Sequence, residues 1–456
     1  MLCVFGFGLV ACDNRTEKEK NFVYPSKDAE IVGNGGLAVQ KGNYVYFVNG
    51  YKSITSSGLK KKASHTVGSL MLMKLGDDGQ VVTDDDGLLD DDYYITMSKK
   101  LCGYEVTNLF IHGNYLYFVT PCLENEAGKK GPWAKERVVF KRIKLDKTGE
   151  VEEIYQSGVK YDNLEFEYYE NGNNLYILAW EKGNSYYAKK GTNALVRVNA
   201  TKKSSKKIAN NVSSVVFADN LSEIFFVEDD TANSTYELNK YDISKNDVDY
   251  YTTFEKSTKA LFSVNGKVYV SQDHDYQVAD ETVSDLFVSD IESASAFEEL
   301  YSYGSDTTLN ITPDGNLVAI SGNEILLIQS ASNKISLIDE EATSIHVVGY
   351  TNGCIVYYDE VDSNSNIKIV SYYNLINNGT AEIETLTTIS KVEKDFAYFD
   401  MAEDENYLYF LNKTGSNYYL NRLKVNNNLD QKEEMFGVYL EADEPEVEED
   451  EEADEE

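Results

Sequence analysis

Side chains capable of chemistry are sparse in this 456-residue chain, and few of them are grouped. The carboxylate cluster to weigh is the acidic insert at 84–92, where Asp84, Asp86, Asp90 and Asp92 could offer oxygen atoms to calcium, a hard cation that takes about six to eight of them. The run lacks the alternating spacing and terminal Glu of an EF-hand loop, so it reads as a solvated acidic loop, with calcium as the weaker alternative. The four histidines, His65, His112, His274 and His346, show no metal-ligand spacing. His112 falls where other repeats place Lys41, Asn171 or Asn265, which makes it a solvated turn residue. No Gly-rich phosphate loop follows a strand and opens a helix, and no aspartate box of the Ser-x-Asp-x-Gly-x-Thr-Trp type is present. No cofactor and no catalytic set are therefore expected. Cys102 and Cys122 lie almost opposite each other about the hairpin at Gly113, which suits a disulfide, with two free thiols as the alternative. Cys354 opens an apolar strand and reads as a small core residue.

The remaining reactive group of note is the thiol of Cys12. It ends the run Leu9-Val-Ala-Cys12, after an apolar stretch too short to span a bilayer and before the polar pair Asp13-Asn14. That arrangement resembles a bacterial lipidation box, which implies that the cysteine receives diacylglycerol and becomes the mature N-terminus; a short apolar tip is the alternative. No Lys or Arg precedes it, which a truncated start would explain. Acyl chains add about 0.8 kcal/mol per buried methylene, enough to hold a soluble domain at a membrane without a spanning helix.

These residues must be positioned by something, and the chain repeats a phrase that supplies it. A polar turn followed by a paired-aromatic strand occurs at Tyr44-Val-Tyr-Phe-Val48, Tyr115-Leu-Tyr-Phe-Val119, Asn174-Leu-Tyr-Ile-Leu178, Glu223-Ile-Phe-Phe-Val227, Lys267-Val-Tyr-Val-Ser271, Asn316-Leu-Val-Ala-Ile320, Cys354-Ile-Val-Tyr-Tyr358 and Tyr407-Leu-Tyr-Phe-Leu411. The spacing averages about 52 residues, a period that marks four-stranded units in radial array. The expectation is all-β: a single β-propeller of eight four-stranded blades, with seven as the alternative. Residues 1–11 form the signal segment, 12–33 the lipidated cysteine and a flexible linker, 34–440 the propeller, and 441–456 a disordered acidic tail. That tail holds twelve of the acidic residues that give the chain its formal charge of −35. Such a balance repels nucleic acid and anionic lipid faces.

Within the array, the second-to-third-strand connections are long: 49–69, 121–137, 180–193 and 272–284, with the acidic insert 84–92 grouped on the same face. They carry Tyr51, Trp133, Trp180, Tyr186 and Tyr187, aromatics able to stack on a glycan or anchor a peptide. These side chains could equally cover the rims of their own blades.

The segment Gly35-Gly-Leu-Ala-Val-Gln-Lys-Gly-Asn-Tyr-Val-Tyr-Phe-Val-Asn-Gly50, the pattern Leu-x-Lys/Arg-Leu/Val at 72–75, 195–198 and 420–423, and Thr312-Pro-Asp-Gly-Asn-Leu317 carry a resemblance. Over about residues 33–440 the chain resembles bacterial surface lipoproteins whose propeller is similar to the low-density-lipoprotein-receptor type and, at Pro313-Asp314-Gly315, to TolB-like repeats. The resemblance implies an architecture and no reaction, because propellers host many unrelated functions.

The expected protein is a lipid-anchored, extracytoplasmic monomer on the bacterial cell surface, whose propeller binds or scaffolds a protein, peptide or glycan. A propeller-based carbohydrate-active hydrolase or lyase is the alternative. Cys12→Ala, or globomycin treatment, in a chain supplied with a full signal segment should move the protein from the membrane to the soluble fraction. Retention in the membrane would refute acylation of Cys12.

Overall fold

In a computed structural model of the chain, the described residues are 21–49, 69–85, 90–98, 108–121, 137–146, 149–160, 163–184, 192–217, 223–278, 281–292, 297–304, 307–321, 324–329, 332, 334–339, 345–351, 353–361, 364–390, 399–402, 407–414, 417–424 and 434–435. Their strands form seven four-stranded antiparallel sheets and one five-stranded sheet, each built from strands consecutive in sequence. The five-stranded sheet comes first in the chain, because Ile31–Val32 pairs with Gln40 and Lys41 and adds a strand ahead of the four expected, whose first is Ala38–Lys41 and from which the strands of this sheet are counted below. Phe22 is buried there, edge-on to Tyr24 and Tyr44. The packed body thus begins inside the segment read as a linker.

The second strand of each sheet shows why the array holds together. Side chains alternate sides along a strand, so a strand that is apolar throughout can feed two cores at once. Ile224 and Phe226 enter the core shared with the preceding sheet, while Phe225 and Val227 enter the core shared with the next. Val45 and Phe47 likewise face the last sheets, and Tyr44 and Tyr46 face the second. Each fully buried side chain of this size contributes about 1.5–3 kcal/mol relative to exposure. Apolar clusters of this kind join every sheet to the next, and one of them joins the seventh and eighth sheets to the first. The first strands of neighbouring sheets approach one another, as between Val212–Phe217 and Thr258–Val264 and between His346–Thr351 and Phe399–Ala402, and so face the centre. The fold is a single all-β propeller.

Hairpin chemistry sets the register. Asn265 and Gly266 both have positive φ, at 52° and 69°, which matches the right-handed twist of the strands they join. Gly353 is required for a second reason, since a Cβ there would lie 2.0 Å from the Tyr373 ring. Tyr373 belongs to a helix, Tyr372–Asn378, inserted between the third and fourth strands of the seventh sheet and not anticipated from the repeat. Ser371 caps its start by accepting from the Asn374 amide, and left-handed Gly379 ends it.

The basic position of the third strands acquires a physical meaning at Arg197 and Arg422 of the Leu-x-Lys/Arg pattern and at Arg142, which Phe140-Lys-Arg-Ile143 places equivalently. Arg142, Arg197 and Arg422 each lie over a tyrosine of the second strand, Tyr115, Tyr176 and Tyr407, at 4.2, 5.1 and 4.3 Å from the ring centroids. Each then donates to a backbone carbonyl beyond the third strand of the next sheet: Ala200, Ile243 and Gly79. Arg422, 1% exposed, makes this bond at 2.7 Å across the seam between the last and first sheets. Replacing Arg422 by Met should therefore destabilise the fold by about 1.5–3 kcal/mol, the range for a charged hydrogen bond. Arg197→Met, at a less buried junction, should cost less. Urea unfolding of both variants checks the order, and equal or reversed losses would refute the seam assignment.

Candidate functional site on the inner wall

Leu164–Asn171 is the first strand of the third sheet, and its alternation Leu-Glu-Phe-Glu-Tyr divides two environments. Leu164, Phe166 and Tyr168 pack toward the second sheet. Glu165 and Glu167 lie on the other side with their cross-strand partners Trp180 and Leu178, facing Val215 and Phe217 of the fourth sheet. Between these strands is a cavity of about 640 Å³, lined by both glutamates, Trp180, Leu178, Phe217 and neighbouring residues, with Asn108 of the second sheet at its edge. A space of this size accommodates a small organic ligand or a long side chain.

The charges inside are unevenly matched. Lys182 forms an ion pair with Glu165, and its ammonium lies 4.5 Å from the centroid of the Trp180 indole. The indole is held from behind, donating from Nε1 to the Val212 carbonyl at 3.0 Å. Among the described residues, no Lys or Arg pairs with Glu167. Its carboxyl stays open to water but is walled in by protein, and this loss of bulk solvation, with the charge of Glu165 second, pushes its pKa up to about 7. Beside it, burial raises the Tyr168 phenol well above its ordinary value, and no partner for its hydroxyl is present among the described residues.

Of the aromatics expected to form a ligand face, only Trp180 falls among the described residues; Tyr51, Trp133, Tyr186 and Tyr187 lie outside them. Trp180 is a strand residue of Asn174–Asn184, half-buried and hydrogen-bonded, and not the loop aromatic expected. The 272–284 connection is also not a loop: Lys267–Val278 pairs with Glu281–Asp290 as a long, bulged hairpin. The acidic insert joins the third and fourth strands of its sheet, which places it on the face opposite the second-to-third connections. There Asp90 accepts from the Asp92 amide and caps a one-turn helix, Asp91–Tyr93, while Asp84 and Asp92 are exposed and Asp86 lies outside the described residues. No group of three or more His, Cys, Asp or Glu side chains suited to a metal occurs among the described residues. His112 is only partly solvated, since Nδ1 lies 2.5 Å from Glu170 Oε1 and Nε2 3.3 Å from the Asn173 carbonyl of the next sheet. Cys354 is buried, as expected, and burial raises its thiol pKa. Cys12, Cys102 and Cys122 lie outside the described residues.

No family model and no curated protein matches the chain. Three similar solved structures are each less than 15% identical. The β-propeller domain of the Trilobed protease from Pyrococcus furiosus is 13% identical, with a TM-score of 0.48 over 72% of this chain and 93% of that one. TolB from Acinetobacter baumannii is 11% identical, with a TM-score of 0.36 over 63% and 73%. An acylaminoacyl peptidase from Pyrococcus horikoshii is 11% identical, with a TM-score of 0.38 over 60% of this chain and 46% of that one, so the chain spans less than half of that protein. The propeller rests on its own sheet order and packing. Among the described residues, no helix is long and apolar enough to cross a membrane.

Glu165 and Glu167 were not singled out in the sequence, although acids alternating with apolar residues on a first strand are a readable signal. The raised pKa has a measurable sign. Glu167 ordinarily titrates near 4.5, so its folded-state value of about 7 favours the protonated form in the folded chain. That contribution is complete at pH below 4.5 and is lost as pH rises through about 7. Glu167→Gln should flatten this part of the stability profile and make the protein more stable than wild type at pH 8, with Glu165 and Lys182 unchanged. Urea midpoints measured from pH 4 to pH 8 that fall in parallel for both proteins would refute the enclosure of Glu167.

Proposed function

We propose that the protein is a lipid-anchored, extracytoplasmic binding propeller that receives its ligand at the inner-wall cavity between the third and fourth sheets. The observation that carries this reading is the cavity itself: an aromatic and apolar enclosure of about 640 Å³ with a few placed polar groups, the usual constitution of a ligand site. Its position is consistent with binding at the face that bears the second-to-third connections, because Trp180 lies toward that end of its strand. Anchoring rests on Leu9-Val-Ala-Cys12, and the chain acts as a monomer. The expected eight four-stranded blades are not met: seven sheets are four-stranded, the alternative count, and the remaining sheet has five strands.

A second reading has one specific observation in its favour. Two carboxylates on one strand, one enclosed and titrating near neutrality and the other ion-paired with Lys182, resemble the pairing used for acid–base cleavage of glycosidic bonds. Two assays separate the readings. The detergent-solubilised full chain, applied to glycan and peptide arrays, should bind a defined class of spots, and Glu167→Trp, which fills the cavity, should abolish that binding without moving the melting transition. Binding that survives the substitution would place the site elsewhere. Turnover of a bound glycan by wild type, lost in Glu167→Gln, would replace the binding reading with the hydrolase or lyase.

A further inference from the structure

We propose that the inner-wall cavity receives an organic ammonium group carried on an apolar body, with Glu167 as its counter-ion. The inference rests on the cavity being the ligand site. The chain displays the required geometry with its own cation, since the Lys182 ammonium is held between the face of Trp180 and the carboxylate of Glu165. Glu167 repeats the carboxylate two residues along the same side of the strand, about 7 Å further on. Lys182 already serves Glu165, and no cation among the described residues serves Glu167.

The walls decide what else could enter. An anion would meet two carboxylates. A neutral apolar ligand would strip water from Glu167 and leave its carboxylate either unpartnered or neutralised by a proton, so the carboxylate would add nothing to binding. A bare metal cation would gain little from Leu178, Val215 and Phe217, which offer it no oxygen. An ammonium on an alkyl or aryl arm satisfies both halves of the site: its charge meets Glu167 and an aromatic face, and its body covers the apolar wall. Two sources share this chemistry, a free amine and a lysine side chain of a peptide. The high negative charge of the chain would raise the local concentration of either.

Calorimetry of the full chain at fixed ionic strength tests the idea with three probes: phenethylammonium, neutral 2-phenylethanol, and Nα-acetyl-lysine methylamide. The ammonium should bind at least about tenfold more tightly than the alcohol, the loss expected when a charged hydrogen bond is absent. Glu167→Gln should remove that preference, and Glu167→Asp, which keeps the charge, should retain most of it. Lys182→Met, which vacates the indole face, should tighten ammonium binding. Tighter binding of the lysine derivative than of phenethylammonium identifies a peptide source, and the reverse order a free amine. Equal binding of ammonium and alcohol, or an unchanged preference in Glu167→Gln, overturns the ammonium proposal while leaving the cavity a ligand site. If none of the probes binds, the proposal also fails, and the array experiment alone decides whether the cavity is a site.

Discussion

Everything in this structure depends on each sheet burying both of its faces against neighbours, all the way around the ring. Among the described residues every sheet is made of consecutive strands, and no strand is shared across the seam between the last and first sheets. Side chains close it there: Tyr407, Leu408 and Phe410 pack with Val45, Phe47 and Met71, and Arg422 reaches the Gly79 carbonyl. The arginine latch is the same device used between interior sheets, but at the seam it has no covalent neighbour to support it. Local contacts suffice to form each sheet, whereas the seam brings together residues separated by nearly the whole chain, and its closure entropy must be offset by this packing.

Much of that plan was legible in the sequence because it is repeated. Period-two burial of a wholly apolar strand leaves a phrase such as Tyr44-Val-Tyr-Phe-Val48 that nothing but a doubly covered strand requires, and all residues of Tyr44–Asn49 are buried. The third-strand pattern was visible too, although its purpose was not, since the carbonyl that Arg422 meets is 343 positions away. Features that break the repeat were not legible. The helix Tyr372–Asn378 had its cap residues Ser371 and Gly379 in view, but the expected short connection masked them. The hairpin at 267–290 looked like a loop because Gln272-Asp-His-Asp-Tyr is polar on both sides, as an arm beyond the core can be.

The site was less legible than the fold for a related reason. The Trp180 indole reads as a surface anchor in the sequence, whereas its ring lines the cavity and its nitrogen is committed to Val212. Replacing it would disturb the third and fourth sheets together, so the site and the packing cannot be separated at that position. The glutamates are different. Their exposure toward the centre leaves them free of the packing that constrains Leu164 and Phe166 on the same strand.

That difference explains where chemistry can sit in this architecture. Second and third strands are covered on both faces, so a charge placed there must be paired internally, as Asp359 is with Lys368 at 2.7 Å. First strands lie beside those of neighbouring sheets toward the centre, as Val212–Phe217 does beside Thr258–Val264, and an acid on such a strand can remain water-accessible yet partly stripped of solvent. Glu167 occupies that intermediate environment: enclosed enough for its pKa to rise to about 7, open enough to be reached. A fully buried carboxylate could not meet a ligand, and a fully exposed one would be screened by water and salt before it could discriminate among ligands. The inner strand of the third sheet supplies the middle condition, with an aromatic face and a second carboxylate beside it.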